Sequence, residues 1–392
     1  MTGAVTDELE QVAARASEAG IRRVHAVGWR DLDDPTAGGS EVHANEILSR
    51  WAAAGLDVVL HVGRVDGAPA RVVRRGVQVR RAGGSFGAWV AGPRSVLRDL
   101  DRTTDAVLEI WHGVNFLAPF WSRVPTVGIF HHVHTKQFHQ VLPPGAAHVA
   151  AFLERRVYPR LYRDRPLIAL SRSVRDEMVS VLGWDPANVH VVEPGVADRF
   201  RTASAHRRST RPLVVAIGRL MPQKGFEAAI DVLLDVKRRH PELEAVIVGD
   251  GPERAALDAK VRTAAAGGWL RLAGYVSDDE VVELYQRAWV LLSASRREGW
   301  GMTVTEAGAC GTPAVATDIT GHREAVVDGV TGLLAVDNAG LAAALDRLLA
   351  DEAERAQMGA AAAEHAAQYR WDATARRVFD VLADEALRRR RS

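Results

Sequence analysis

The chain has 392 residues, 47% of them hydrophobic, which is enough for two cores of ordinary size. Fifty basic against forty-nine acidic residues leave a net charge of +1, so no bulk charge argues for a nucleic-acid partner. The single cysteine, Cys310, excludes an internal disulfide framework and fits a reducing compartment. Met1 to Gly20 is polar, without the apolar core of a signal peptide, and no run approaches a membrane span. A soluble, cytoplasmic protein is the expectation.

In chain order, residues 7–19 read as a short amphipathic helix, and Arg22 to Trp29 as the first strand. A polar loop, Arg30 to Thr36, leads to Ala37-Gly38-Gly39-Ser40-Glu41. The next helix carries Ala44, Ile47, Leu48 and Trp51 on one face, at helical spacing. Strand, glycine turn and helix form a Rossmann-like phosphate-binding unit, although Gly-Gly is also an ordinary turn. A dinucleotide site requires G-x-G-x-x-G and an acidic residue closing the following strand. The strand Leu56 to Val62 ends without one, which argues against a dehydrogenase.

Further strands are expected at Val77–Arg80, Ala106–Trp111 and Val124–Phe130. The last ends in His131-His132-Val133-His134-Thr135. Three histidines invite a zinc reading, but residues at a strand end alternate faces and no matching ligand set stands nearby in sequence. The plainer reading is that they line a polar cleft. Residues 146–163 read as a helix with Arg155, Arg156, Arg160 and Arg163 among Phe152, Val157 and Leu161. Such a helix can lie on an anionic membrane or grip an acidic acceptor, but in an arginine-biased chain a solvated face is preferred. Strand Leu167–Leu170, a helix capped by Ser171 or Ser173, and strand Val189–Val192 follow, and the polar stretch Arg199 to Pro212 reads as an interdomain linker.

The second half restarts the alternation. Strand Leu213–Ile217 ends in Gly218-Arg219, with Lys224-Gly225 before a helix that runs to about His240. An Arg and a Lys five apart on such a loop can both reach a diphosphate, although loop cations are common. Strand Glu244–Val248 ends in Gly249-Asp-Gly-Pro252, and strand Trp269–Ala273 in Gly274-Tyr275-Val276. Asp33-Asp34 and Asp278-Asp279 lie in loop or cap contexts. After the apolar run Trp289 to Ser293 comes Glu298-Gly-Trp-Gly-Met-Thr-Val-Thr-Glu306, then strand Ala314–Thr317. That puts Glu298 to Glu306 at a strand-to-helix junction, where open α/β sheets bind ligands. Gly299 and Gly301 permit close backbone approach, and the amides of Trp300, Gly301, Met302 and Thr303 are donors at a helix start. Two carboxylates eight positions apart suit vicinal diols, a sugar at one end and a ribose at the other. The competing reading makes Thr303-x-x-Glu306 a capping box and Glu298 an exposed loop charge.

On these residues the chain resembles glycosyltransferase family 4, retaining nucleotide-sugar transferases of the GT-B fold. The family's Glu-x7-Glu motif matches Glu298 to Glu306, its G-R-(x4)-K-G matches Gly218 to Gly225, and its H-x-x-H-T matches His131 to Thr135. The segment W-R-D…A-G-G-S-E resembles an N-terminal loop beneath the donor phosphates in a subgroup. The resemblance implies that Glu298 holds donor-sugar hydroxyls and Glu306 the ribose. It puts His134 against the sugar, Thr135 near the phosphate, and Arg219 and Lys224 on the leaving diphosphate. Gly38, Gly39, Gly249, Val276, Trp300, Gly301, Met302 and Thr303 would complete the donor site, Val276 through a backbone contact to the base.

The expected architecture is therefore GT-B: two Rossmann-like domains facing across a cleft, residues 1–198 for the acceptor and 199–370 for the nucleotide-sugar donor. A C-terminal helix, 371–392, would cross back to the first domain. The expected reaction is metal-independent, front-face transfer of a hexose-like sugar to an unknown acceptor (small molecule, glycan or lipid-linked), with no cofactor. A sugar-nucleotide epimerase and a non-catalytic partner subunit are the alternatives.

Overall fold

The computed structural model describes residues 2–84, 87–111, 115–135, 138, 142–203 and 208–391. The chain divides into two compact units, one of residues 1–195 with 371–392 and the other of residues 196–370.

The first unit is built on eight strands: β1 (Arg23–Val27), β2 (Asp57–Val62), β3 (Arg71–Arg74), β4 (Val77–Arg81), β5 (Asp105–Trp111), β6 (Thr126–Phe130), β7 (Leu167–Ala169) and β8 (Val189–Val191). Their order is β3-β4-β2-β1-β5-β6-β7-β8, parallel except for the β3–β4 pair. The short edge strand β3 escapes sequence reading because half its residues are arginine. β1, β5 and β6 are nearly continuous apolar runs, as strands covered on both faces must be. The chain winds outward from β1 in one direction and from β5 in the other, so the switch point lies between their carboxyl ends.

The helix Gly39–Ala53 buries Ala44, Ile47, Leu48 and Trp51, the face expected from its spacing. The C-terminal helix Trp371–Arg391 belongs to this unit. Trp51 anchors it: its Nε1 donates to the Ala375 carbonyl at 2.9 Å and its ring meets Phe379 edge-on. Outside that contact, Arg376 pairs with Glu8 and Asp380, and Arg377 with Glu193.

The expected helix 146–163 is not continuous. An α-helix Pro144–Phe152 passes through a π-turn, Leu153–Val157, before a short α-helix Tyr158–Leu161. Arg155, Arg156, Arg160 and Arg163 are exposed there, while Glu154 is buried.

The second unit holds β9 (Leu213–Ile217), β10 (Glu244–Val248), β11 (Leu270–Gly274), β12 (Val290–Ser293), β13 (Ala314–Thr317) and β14 (Gly332–Ala335). They form a wholly parallel sheet in the order β11-β10-β9-β12-β13-β14, with its switch point between β9 and β12. The core combines Val214, Leu292 and Val315 from the strands with Ile230, Leu233 and Leu345 from the helices. Residues 199–212, read as a linker, are tied into this unit where described. Arg208 donates to the carbonyls of Ala288 and Gly311, and Gln286 donates to the Arg201 carbonyl at 2.9 Å. Their polarity serves anchoring, which composition alone does not distinguish from solvation. No described helix is long and apolar enough to cross a membrane.

Candidate active site

In the second unit, the candidate residues gather at the switch point. β9 ends at Ile217, and half-buried Arg219 follows Gly218. A 3-10 turn, Pro222–Lys224, leads to Gly225, which caps the helix Phe226–Lys237 at φ 64°. A Cβ on Gly225 would lie 2.0 Å from the Ala294 carbonyl oxygen. This glycine therefore allows the turn bearing Lys224 to rest on the loop that follows β12.

Lys224 and Glu298 meet there. Lys224 Nζ donates to Glu298 Oε1 at 2.6 Å, and Ser295 Oγ donates to the same oxygen at 2.8 Å. The Lys and Glu side chains are 24% and 14% exposed, so the pair is sheltered but reachable. Burial pushes the Glu298 carboxyl up, but the charge of Lys224 and the hydrogen bonds from Lys224 and Ser295 hold it below its ordinary range. It is a carboxylate at neutral pH.

His322 lies beneath this pair, fully buried. Its Nδ1 is 2.9 Å from the Thr317 carbonyl, which only accepts, so the proton sits on Nδ1 and Nε2 faces Ser293 Oγ at 3.3 Å. Burial keeps the ring below its ordinary pKa and therefore neutral. A Cβ on Gly301 would come 2.9 Å from His322 Cδ2, and one on Gly321 would come 2.8 Å from Trp300 N. Two glycines with positive φ thus let the loops after β12 and β13 touch.

The helix Met302–Ala309 starts from Gly301 at φ 105°, with no side-chain cap. A Thr303–Glu306 capping box is therefore ruled out: Thr303 lies inside the helix, one residue past its start. The first amides with helical acceptors are those of Val304 and Thr305, which leaves those of Met302 and Thr303 as donors at the helix start. Trp300 is buried against Tyr369, so only its backbone could face a ligand. Glu306 is half-buried one turn into the helix and accepts a long hydrogen bond from Tyr285 Oη at 3.4 Å. Burial lifts its carboxyl to about 7, against the opposing charge of Arg199. Lys224, Ser293, Ser295, Glu298 and Thr303 line an open recess.

Gly249 and Val276 occupy neighbouring strand ends. Gly249, at φ 132°, would place a Cβ 1.9 Å from the Gly218 carbonyl oxygen, so its smallness seats the β9 turn. Val276 is half-buried after β11, next to Tyr275.

In the first unit, Gly38 is the N-cap of the Gly39–Ala53 helix, and buried Glu41 reaches back to Gly38 N at 2.6 Å. Arg30 donates to Glu41 at 3.2 Å. Asp31 and Asp33 are held by buried Arg81, so the whole loop is pinned by ion pairs. At the end of β6, His134 is buried, its amide donates to Glu154 Oε1 at 2.8 Å, and Thr135 Oγ1 donates to Glu154 Oε2. His131 turns elsewhere, with Nδ1 3.3 Å from the Trp111 carbonyl. Burial lowers its pKa to about 4.

Sequence reading missed Ser295, His322, Tyr285 and Glu154, and named Glu41 only as part of its loop motif. His322 had a usable signal, a polar residue just past a strand's carboxyl end behind a glycine. Glu154 had another, an acid on the apolar stripe with Val157 and Leu161 in an arginine-rich helix. Tyr285 and Ser295 carried none.

Residues 198–365 match the family Glycosyl transferases group 1, and residues 37–200 match Glycosyltransferase Family 4. The chain is 31% identical to D-inositol 3-phosphate glycosyltransferase of Streptomyces bingchenggensis, over 98% of this chain and 93% of that protein. It is also 31% identical to the enzyme of that name from Acidothermus cellulolyticus, over 90% and 87%. Among solved structures, sucrose-phosphate synthase from Thermosynechococcus elongatus superposes with a TM-score of 0.76 at 18% identity, covering 91% of this chain and 97% of that one. Anabaena HepE, crystallised with UDP and glucose, gives 0.72 at 20% identity, covering 93% and 100%. The chain is a family 4 glycosyltransferase with the GT-B fold, an enzyme that transfers sugars.

Proposed function

We propose that this transferase moves a hexose-like sugar from a nucleoside diphosphate sugar to an acceptor, with retention of anomeric configuration and without a metal. The observation that carries the reading is the Lys224–Glu298–Ser295 cluster beside an uncapped helix start, with Glu306 one turn further on. An ammonium and open amides suit a diphosphate, and two carboxylates suit two diols. His134 and Thr135 would contribute to the sugar and the phosphate, and Gly39 would offer its amide to the diphosphate, the Gly38 amide being taken by Glu41.

Retention by two displacements requires a carboxylate nucleophile at the anomeric carbon. Glu298 is already committed to Lys224 and Ser295, which suits holding a hydroxyl better than attacking carbon. A front-face path fits better: the sugar–phosphate bond breaks, a departing phosphate oxygen takes the acceptor hydroxyl's proton, and the acceptor oxygen bonds to the same face. The protein's part is electrostatic, with Arg219, Lys224 and the amides of Met302 and Thr303 stabilising charge on the diphosphate as it develops.

The test incubates the protein with UDP-, GDP- and ADP-sugars, with and without acceptors that begin with D-inositol 3-phosphate, the compound in its relatives' names. Mass spectrometry reads the products and NMR the anomer. Nucleotide release with a new retained glycoside supports transfer. An inverted product would overturn the front-face mechanism. Free nucleotide and an isomerised sugar without acceptor would support the epimerase alternative, and binding without turnover of any donor the non-catalytic one.

A further inference from the structure

We propose that Glu154 positions the His134–Thr135 turn and fixes the His134 proton on Nδ1, leaving Nε2 as a hydrogen-bond acceptor. The consequence for catalysis rests on the reading of His134 as a sugar contact given above.

Glu154 is 1% exposed, in a segment whose neighbours Arg155 and Arg156 face solvent. It lies in the π-turn Leu153–Val157, where the wider turn changes which residues face inward. A buried carboxylate must find donors, and this one takes them from two successive residues of the turn: the His134 amide at 2.8 Å and the Thr135 hydroxyl. Its Oε1 also faces His134 Nδ1 at 3.6 Å, beyond hydrogen-bond reach, so it acts on that nitrogen through its charge.

The His134 ring is held in two further ways. It stacks on His132, with centroids 4.0 Å apart and planes 28° apart, and on Phe138, with centroids 5.9 Å and planes 26° apart. Stacking sets the plane of the ring but not which edge points where. Glu154 supplies that second constraint. A negative oxygen repels a nitrogen lone pair, so the edge facing it favours the protonated nitrogen, and in the neutral ring the lone pair is then on Nε2. Nε2 would accept from a sugar hydroxyl, and the turn's backbone would hold it there.

The test is NMR of the ring nitrogens in protein labelled with ¹⁵N-histidine, at a pH where His134 is neutral, with His134→Gln used to assign the signals. The expected wild-type signature is a protonated Nδ1 and a bare Nε2. Glu154→Gln keeps the shape and can keep both turn hydrogen bonds, with its amide oxygen still beside Nδ1, but removes the charge that repels a lone pair there, so the preference should weaken towards a mixture. A wild-type ring protonated on Nε2 overturns the proposal whether or not any variant folds. An unchanged signature in Glu154→Gln, with an unchanged melting temperature, overturns it too. Titration with UDP-glucose separates the two readings. A signature that depends on Glu154, in a ring that UDP-glucose leaves unmoved, supports the role of Glu154 and removes His134 from the sugar site.

Discussion

Neutralising Glu298 should strengthen the binding of bare nucleoside diphosphate while damaging turnover of the sugar donor. With no ligand bound, Lys224 is engaged by Glu298 at 2.6 Å, so a diphosphate must compete for the ammonium. A hydrogen bond to a charged group contributes about 1.5–3 kcal/mol, and its neutral counterpart roughly half as much. Glu298→Gln therefore releases Lys224 by about 1 kcal/mol, or about fivefold in UDP affinity. Lys224→Ala removes the clamp itself and should weaken UDP by about one to two decades. Donor turnover in Glu298→Gln should fall by a similar factor, because the sugar hydroxyls lose their charged acceptor.

Calorimetry at pH 7.5 suits this test. The Glu298 carboxyl is depressed, so the pair's contribution is fully present above the ordinary carboxylate pKa and is lost only as pH falls through the lower folded value. The double variant completes the cycle: in the Lys224→Ala background the gain from Glu298→Gln should shrink to whatever simple charge repulsion contributes. Weaker UDP binding by Glu298→Gln would mean that Glu298 itself touches the nucleotide. Unchanged UDP binding by Lys224→Ala would remove Lys224 from the clamp.

Four further outcomes are expected. Because burial lifts Glu306 to about 7, binding of UDP-glucose (which lacks the titrating terminal phosphate of UDP) should tighten from pH 6 to pH 8, and Glu306→Gln should flatten that rise; a flat wild-type curve would refute ribose capture by the ionised carboxyl. The same raised pKa makes ionisation oppose folding as pH climbs from 4.5 to about 7, so at pH 8 ligand-free Glu306→Gln should resist urea better, by on the order of 1–3 kcal/mol. Transfer activity should survive EDTA, and activity lost on chelation and restored by magnesium would sink the metal-free reading. Gly225→Ala, with its Cβ 2.0 Å from the Ala294 carbonyl oxygen and φ at 64°, should lose about 1–3 kcal/mol in urea unfolding together with UDP affinity.

What the sequence disclosed follows from how locally each feature is encoded. The buried strands announce themselves as apolar runs, and Trp51 appears because helical spacing aligns it with Ala44, Ile47 and Leu48. Gly225 and Gly301 could be read as turn glycines, but the contacts that demand them, with Ala294 and His322, come from segments that follow other strands. β3 hides because an exposed edge strand needs no apolar face. The π-turn hides for a related reason: a one-residue shift in phase leaves the hydrophobic pattern on either side intact.

Protonation state lies furthest from the motif. Glu298 and Glu306 belong to one nine-residue stretch, yet one carboxyl is held below its ordinary range and the other raised to about 7. Burial acts on both in the same direction, so the difference comes from partners. Glu298 meets an ammonium and a serine hydroxyl close at hand, from β9's turn and the loop after β12. Glu306 has a phenol at 3.4 Å and a more diffuse positive charge from Arg199. A site with one carboxylate already charged and another poised to lose its proton has its like charges partly relieved before a ligand arrives. On the proposed reading, binding a diphosphate there would draw Lys224 from Glu298, and binding a ribose would draw the proton from Glu306. These are two separate electrostatic costs, which is why the two glutamates should differ in their pH dependence as well as in the part of the donor each one senses.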